Sequence, residues 1–366
     1  MRAAVFRQGD IVVDTLPDPK PGHGQVLVKT LACGICGSDL HARLHAPKMA
    51  ALSARLPGRE PMDISQDIVF GHEYCCEILD YGPGTAKTLK AGTHVCSVPR
   101  LIVDGAVRGI GYSNSNVGGY AERMLLSEPL LVPVPNGLSP ARAALTEPLA
   151  VGVHAVEKAR VQGDEAPLVI GCGPVGLAVI AALKLKRTAM PGLGSIIAAD
   201  YSPKRRELAV KMGADIVVDP AKTSPYTTWG QHAALPAVKD AGKGLAAGLI
   251  DVKPAFKQAL IFECVGVPGV IQQCIQLCEP RGTVLIAGVC MKPDTLIPVI
   301  AVLKELRLQF VAYYHRRNFE LTLDLLGSER IRADRFVTDV IALDALPAAF
   351  EALKQPSTQC KVIVKP

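Results

Sequence analysis

Leu168-Val169-Ile170-Gly171-Cys172-Gly173-Pro174-Val175-Gly176 decides how the chain is read. Three apolar residues run into a glycine-rich turn, and a proline then opens an apolar helix predicted over residues 174–187. Gly171 allows the tight turn, Gly173 lets a backbone approach a pyrophosphate, and Gly176 lets helix and strand pack closely. Pro174 and Val175 form the helix N-terminus, whose free N–H groups and dipole favour negative charge. Such a turn on its own is often only structural. Its strand-to-helix setting is what points to a dinucleotide site.

Moving outward, the alternation of strand and helix continues. Strands are predicted over 195–199, 215–218, 260–264, 283–287 and 308–313, with a helix over 203–212 stopped by Gly213. These runs are apolar throughout, as expected of parallel strands covered on both faces. A Rossmann-type, doubly wound parallel sheet is therefore expected over 150–313. Asp200 ends the strand after the glycine turn, where a carboxylate accepts hydrogen bonds from ribose hydroxyls and repels a 2′-phosphate, which favours NAD over NADP. Two features pull the other way. Lys204 and Arg205 follow closely and can neutralise a phosphate, and Asp200 stands further from the glycines than the customary ~20 residues.

Before Leu149 the rhythm differs. Short strands, predicted over 26–31, 68–70, 94–98 and 120–126, are broken by glycine and proline turns, which reads as a β-rich, barrel-like domain over 1–149. A last strand over 361–364 suggests that 314–366 completes it. Two domains also suit 366 residues, since single cores seldom grow beyond roughly 250–300. With 49% hydrophobic and 20% charged residues the chain is globular rather than disordered. The net charge of +6 comes without a Lys/Arg block, so no nucleic-acid partner is expected. No apolar stretch is long enough to cross a membrane, and Met1–Gln8 lacks the apolar core of a signal peptide. Eleven cysteines, an odd number in a chain of this size, fit reduced thiols in a cytoplasm.

The chemistry is concentrated in the β-rich part. Gly34-Ile-Cys36-Gly-Ser38-Asp39-Leu-His41 is answered by Gly71-His72-Glu73. Cys36, His72 and either Glu73 or Glu147 offer sulfur, imidazole nitrogen and carboxylate oxygen, a set that suits Zn²⁺ and leaves a position for substrate. Cys33-x-x-Cys36 also has redox spacing, but the surrounding pattern disfavours that reading. Cys75 and Cys76 are adjacent on a predicted strand and are expected on opposite faces, one in the core and one at the surface. His45, His94 and His154 are expected to be packing or surface residues.

These motifs, with Glu147-Pro-Leu-Ala-Val-Gly-Val-His-Ala155 and the glycine turn, occur in the order and at about the distances found in the zinc-dependent medium-chain alcohol and polyol dehydrogenases, which the chain resembles over nearly its whole length. The resemblance implies a GroES-like catalytic domain, built from both chain ends, with a Rossmann domain inserted between them. It implies zinc ligands at Cys36 and His72, and Asp39 as the carboxylate orienting His72. Glu147 would take a direct or water-bridged role, with Glu73 as an alternating ligand. Ser38 would accept the substrate proton, which leaves by way of the nicotinamide ribose and His41. Gly288 and Val289 would hold the nicotinamide. Many members carry a second zinc on four cysteines after the strand near position 95; between Cys96 and Tyr120 only Cys96 is present, so one zinc per subunit is expected.

The expected reaction moves a hydride between an alcohol (secondary, or a diol or polyol) and NAD, giving a ketone or aldehyde. Met49, Leu52 and Leu56 could form an apolar lid over the substrate, although an amphipathic surface helix explains the same spacing. Zinc-free relatives that reduce activated C=C bonds lack the Cys36/His72 pair. A dinucleotide-binding sensor would not need to keep both ligands and relay. The resemblance further implies a homodimer or homotetramer, paired through the strand expected at 308–313.

Overall fold

In the computed structural model the chain forms two compact units, Met1–Pro148 with Phe319–Pro366, and Leu149–Asn318. Residues 1–55, 60, 62–234, 256–332, 335–354 and 359–366 are described. The second boundary falls after Asn318, slightly beyond the point where the sequence rhythm changes.

The first unit opens with β1 (Arg2–Arg7), β2 (Asp10–Thr15) and β3 (Gln25–Gly34), then helices α1 (Gly37–Leu44) and α2 (Ala46–Arg55). It continues through β4 (Ile68–Val69), β5 (Glu73–Tyr81), β6 (His94–Ser97), the hairpin β7 (Arg100–Val103) and β8 (Ala106–Gly109), β9 (Arg123–Ser127), β10 (Leu131–Pro133) and α3 (Pro140–Ala143). Helix α4 (Thr146–Ala159) spans the boundary.

The second unit alternates β11 (Glu165–Ile170), α5 (Pro174–Ala189), β12 (Ile197–Ala199), α6 (Pro203–Met212), β13 (Ile216–Val218) and α7 (Pro225–Ala233). After β14 (Gln258–Glu263) come α8 (Val270–Leu277), β15 (Thr283–Ile286), α9 (Pro298–Leu303) and β16 (Arg307–Phe310). Helix α10 (Arg316–Gly327) leads back to the first unit, which ends with β17 (Val337–Ala342), α11 (Leu346–Ala352) and β18 (Lys361–Lys365).

The second unit's sheet is parallel, in the order β13-β12-β11-β14-β15-β16. Its two halves diverge from β11 and β14, the doubly wound arrangement in which ligands bind outside the carboxyl ends of the strands. β11 and β15 are buried along their whole length, which explains why they are apolar without alternation. Local signals agree: the Ser202 side chain caps α6, Pro203 occupies its first turn, and Gly213, at φ +121°, ends it.

The first unit pairs β10-β6-β5-β3-β18-β17 in one sheet, with β9 also on β3, and β2-β1-β4 in a second. Its core gathers Phe6, Phe70, Tyr120, Met124 and Phe350. Phe6 and Phe70 stack with ring centroids 5.2 Å apart. The C-terminal β18 bonds β3 at Gly34, so the last residues of the chain reach the segment that leads into Cys36.

Two expectations need correction. Cys75 and Cys76 are both fully buried, because both faces of β5 are covered; neither is a surface thiol. The strand expected from Tyr120 begins at Arg123, because Gly119 and Tyr120 give their N–H groups to Gly71 and Phe70 instead of a strand partner. Among the described residues, no helix is long and apolar enough to cross a membrane.

Candidate metal centre and dinucleotide turn

Cys36 follows β3 and is the N-cap of α1. Its backbone N–H donates to Asp39 Oδ2 at 3.1 Å, fixing the thiol at the start of the helix. His72 and Glu73 arrive from the other direction at the start of β5. Gly71, at φ +97°, allows the bend before them, and a Cβ there would meet the Tyr120 backbone at 2.9 Å. The sulfur of Cys36, a ring nitrogen of His72 and a carboxylate oxygen of Glu73 all lie within 4.8 Å of one another. Small side-chain adjustments close that spacing around a zinc with bonds of ~2.0–2.3 Å.

Hydroxyls and a carboxylate surround the three. Ser38 Oγ donates to Cys36 Sγ at 3.1 Å and lies 3.5 Å from His72 Nε2. Asp39 is fully buried, with its Oδ1 3.3 Å from His72 Nδ1, off the line of a hydrogen bond but close enough to pair with it. Tyr120 donates to Asp39 Oδ2 at 2.7 Å, and the Tyr112 hydroxyl stands 2.8 Å from Oδ1. Burial opposes ionisation of Asp39, but His72 and the two tyrosines outweigh it and hold the carboxyl below its usual range. Burial likewise opposes charge on His72, but Asp39 and Cys36 outweigh that and raise the ring well above the ordinary value. The pocket favours a positive charge, which is what a metal supplies.

Glu73 is already partnered. Lys361, on β18, is 1% exposed and donates to both its carboxylate oxygens at 2.7 and 2.8 Å and to Ile35 O at 3.0 Å. All three ammonium hydrogens are used. Burial works against the charge, but Glu73 dominates and raises the lysine pKa. Cys36 and His72 are therefore free to ligate, whereas Glu73 must exchange one partner for another. Glu147 is buried in the first turn of α4 and stands outside the close trio. His41, one turn beyond Ser38, stacks on His45 at 6.1 Å, with its Nδ1 buried and without a hydrogen-bond partner. Met49 packs on the barrel core, Leu52 is 41% exposed, and Leu56 lies outside the described residues. Cys96 is buried and its thiol meets Ala143 O, while β7 and β8 follow it as a hairpin.

In the second unit Gly171 has φ +94°, and a Cβ on Gly176 would sit 1.8 Å from Gly171 O. Gly173 is different: a Cβ there meets nothing within 4 Å, which leaves its face open to a ligand. Pro174 and Val175 are half-buried in the first turn of α5. Asp200 accepts from the N–H groups of Cys172 and Ser202, both at 2.8 Å, so it braces the turn as well as facing the ligand end of the sheet. Arg205 is 3.9 Å from that carboxylate, and Lys204 is paired with Glu207 at 3.0 Å. Gly288 gives its N–H to Glu263 O at 3.0 Å, and Val289 is 57% exposed. Glu263 also caps the Val265 and Gly266 N–H groups, at 2.7 and 2.9 Å.

Tyr112, Tyr120, Lys361 and Glu263 escape sequence reasoning. Each lies far along the chain from the group it serves or inside an apolar strand, without local spacing to mark it.

Comparison with known proteins identifies the family of both units. Residues 22–136 match the family model of the alcohol dehydrogenase GroES-like domain, and residues 174–328 that of the zinc-binding dehydrogenases. The (R,R)-butanediol dehydrogenase of Bacillus subtilis is 32% identical, with both chains covered in full. The sorbitol dehydrogenase of that organism is 26% identical over all of this chain and 97% of its own. The crystal structure of the Bacillus subtilis 2R,3R-butanediol dehydrogenase superposes with a TM-score of 0.76 over all of this chain and 99% of its own, at 30% identity. A zinc-binding dehydrogenase from Sinorhizobium meliloti, bound to NADP, gives the same TM-score at 26% identity, covering all of this chain and 99% of its own. The chain belongs to the zinc-dependent medium-chain dehydrogenase family, and is an oxidoreductase of a GroES-like and a Rossmann unit.

Proposed function

We propose that the protein oxidises a secondary alcohol, diol or polyol with NAD and one zinc ion per subunit, and reduces the matching ketone in reverse. The convergence of Cys36, His72 and Glu73 beneath the Ser38 hydroxyl carries this reading. Relatives named for butanediol and sorbitol point to substrates with neighbouring hydroxyls. Zinc supplies the Lewis acid that makes an alcohol acidic, and the nicotinamide accepts the hydride.

The chain's own part is positional. Cys36 and His72 hold the metal, Asp39 orients the His72 ring, and Ser38 stands ready to accept the hydroxyl proton. His41 then offers a neutral ring nitrogen for its exit. Glu147 completes the ligand set directly or through water, and Glu73 enters when it leaves Lys361. Gly171, Gly173 and Gly176 admit the pyrophosphate at the α5 N-terminus, and Gly288 and Val289 border the nicotinamide. Asp200 favours NAD, since its carboxylate repels a 2′-phosphate. A lone, buried Cys96 supports a single zinc. The outer edge of β16, without a strand partner among the described residues and with Phe310 68% exposed, suits a homo-oligomer, and cysteines without disulfides among the described residues suit a cytoplasm.

A panel of vicinal diols, polyols and simple secondary alcohols, assayed with NAD and NADP on zinc-loaded protein, tests the reading. NAD-dependent oxidation of a diol or secondary alcohol, lost on chelation and regained with zinc, is expected. Activity that survives complete zinc removal, or NADH formation with none of the alcohols, would contradict it.

A further inference from the structure

The loop between β8 and β9 brings Tyr112 to the candidate metal centre. Ser113 and Ser115 hydroxyls donate to Glu60, and Asn116 donates to Gly109 O, which fixes the loop on both sides of the tyrosine. The ring packs against His72 and Phe70, with centroids 5.3 and 5.8 Å away. Its hydroxyl oxygen is 2.8 Å from Ser38 Oγ and 2.8 Å from Asp39 Oδ1.

Counting hydrogens assigns the roles. A phenol has one hydrogen and an ionised carboxylate none, so the Tyr112 hydrogen is the one that Ser38 Oγ and Asp39 Oδ1 share. Ser38 also has one hydrogen and three neighbours: Tyr112 at 2.8 Å, Cys36 Sγ at 3.1 Å and His72 Nε2 at 3.5 Å. A serine that accepts the substrate proton must release its own hydrogen, so that hydrogen cannot be held by Tyr112. We propose that Tyr112 is a positioning residue that donates to Ser38 Oγ, so that the serine keeps one lone pair aimed at the substrate hydroxyl and its own hydrogen free for the exit by His41. This rests on the alcohol-oxidising reading of the site. Tyr112 acts through Ser38 and needs no contact with substrate.

The test is a double-mutant cycle of Tyr112→Phe and Ser38→Ala in zinc-loaded enzyme, read as kcat, KM, zinc content and solvent deuterium isotope effect. Phenylalanine keeps the ring packing and removes only the hydroxyl. With serine present, Y112F is expected to lower kcat about tenfold, with KM within about twofold, zinc retained and a larger isotope effect. In the S38A background the same change should cost almost nothing, because the group it orients is gone. A wild-type kcat in Y112F would overturn the proposal, as would an equal loss in both backgrounds or a loss that follows zinc content. A wild-type enzyme that forms no NADH from any alcohol would overturn the underlying reading and this inference with it.

Discussion

His41 and Lys361 show how burial sets the behaviour of single residues at this centre. Burial, then the neighbouring His45, lowers the His41 pKa, which favours the neutral ring that can accept a proton. His41→Ala should slow alcohol oxidation little near pH 9 and about tenfold near pH 6, where solvent bases are scarce. A uniform loss across the pH range would make His41 structural. The sign for stability is the reverse of that for catalysis. The folded ring binds its proton less tightly than the unfolded chain does, so its burial costs stability as pH falls through ~6.5. Lys361 is the other case. Lys361→Met strands a fully buried Glu73, and should cost about 3–5 kcal/mol in chelator-treated protein. Zinc should recover part of that loss by offering Glu73 a new partner; urea unfolding with the same loss with and without zinc would show that Glu73 never reaches the metal.

The strand–turn–helix of β11 and α5 separates structural from ligand-binding glycines. Gly176→Ala places a methyl 1.8 Å from Gly171 O and should cost about 1–3 kcal/mol of stability as well as cofactor affinity. Gly173 has φ −70°, which any residue adopts, and open space before it. Gly173→Ala should therefore leave stability within about 0.5 kcal/mol and weaken NAD binding alone. Thermal unfolding and cofactor titration of both variants decide; equal destabilisation would refute the distinction. Elements of this kind were legible in the sequence, because a turn followed by a capped helix writes its own boundaries. The α6 helix, from Pro203 to its stop at Gly213, was read to the residue, although its Ser202 cap was not. Cys36 and His72 stood out by their residue types within short glycine-flanked motifs, and the structure brings them together with Glu73. What stayed hidden depends on distant pairing: Lys361 reads as one end of an apolar strand, and nothing near Tyr112 announces that it reaches Ser38. Cys75 and Cys76 were misread because alternation cannot show that both faces of a strand are covered.

At the scale of the whole molecule, the parallel sheet ends at β16, whose outer edge has no strand partner among the described residues, and Val299, Val302, Leu303 and Phe310 stand more than half exposed nearby in the chain. An edge and an apolar surface of this kind suit a second copy of the chain. Light scattering should give a multiple of the single-chain mass for the unaltered protein and the single-chain mass for Phe310→Glu; the same mass for both would contradict pairing at this edge. The account as a whole depends on a single metal held at Cys36 and His72. Zinc K-edge X-ray absorption of the stoichiometrically loaded protein, beside Cys36→Ala, tests this most directly. The expected result is one zinc per subunit with one sulfur at ~2.3 Å and nitrogen or oxygen donors at ~2.0–2.2 Å, the sulfur disappearing in the variant. A site of several sulfurs, or a sulfur that remains in Cys36→Ala, would contradict it.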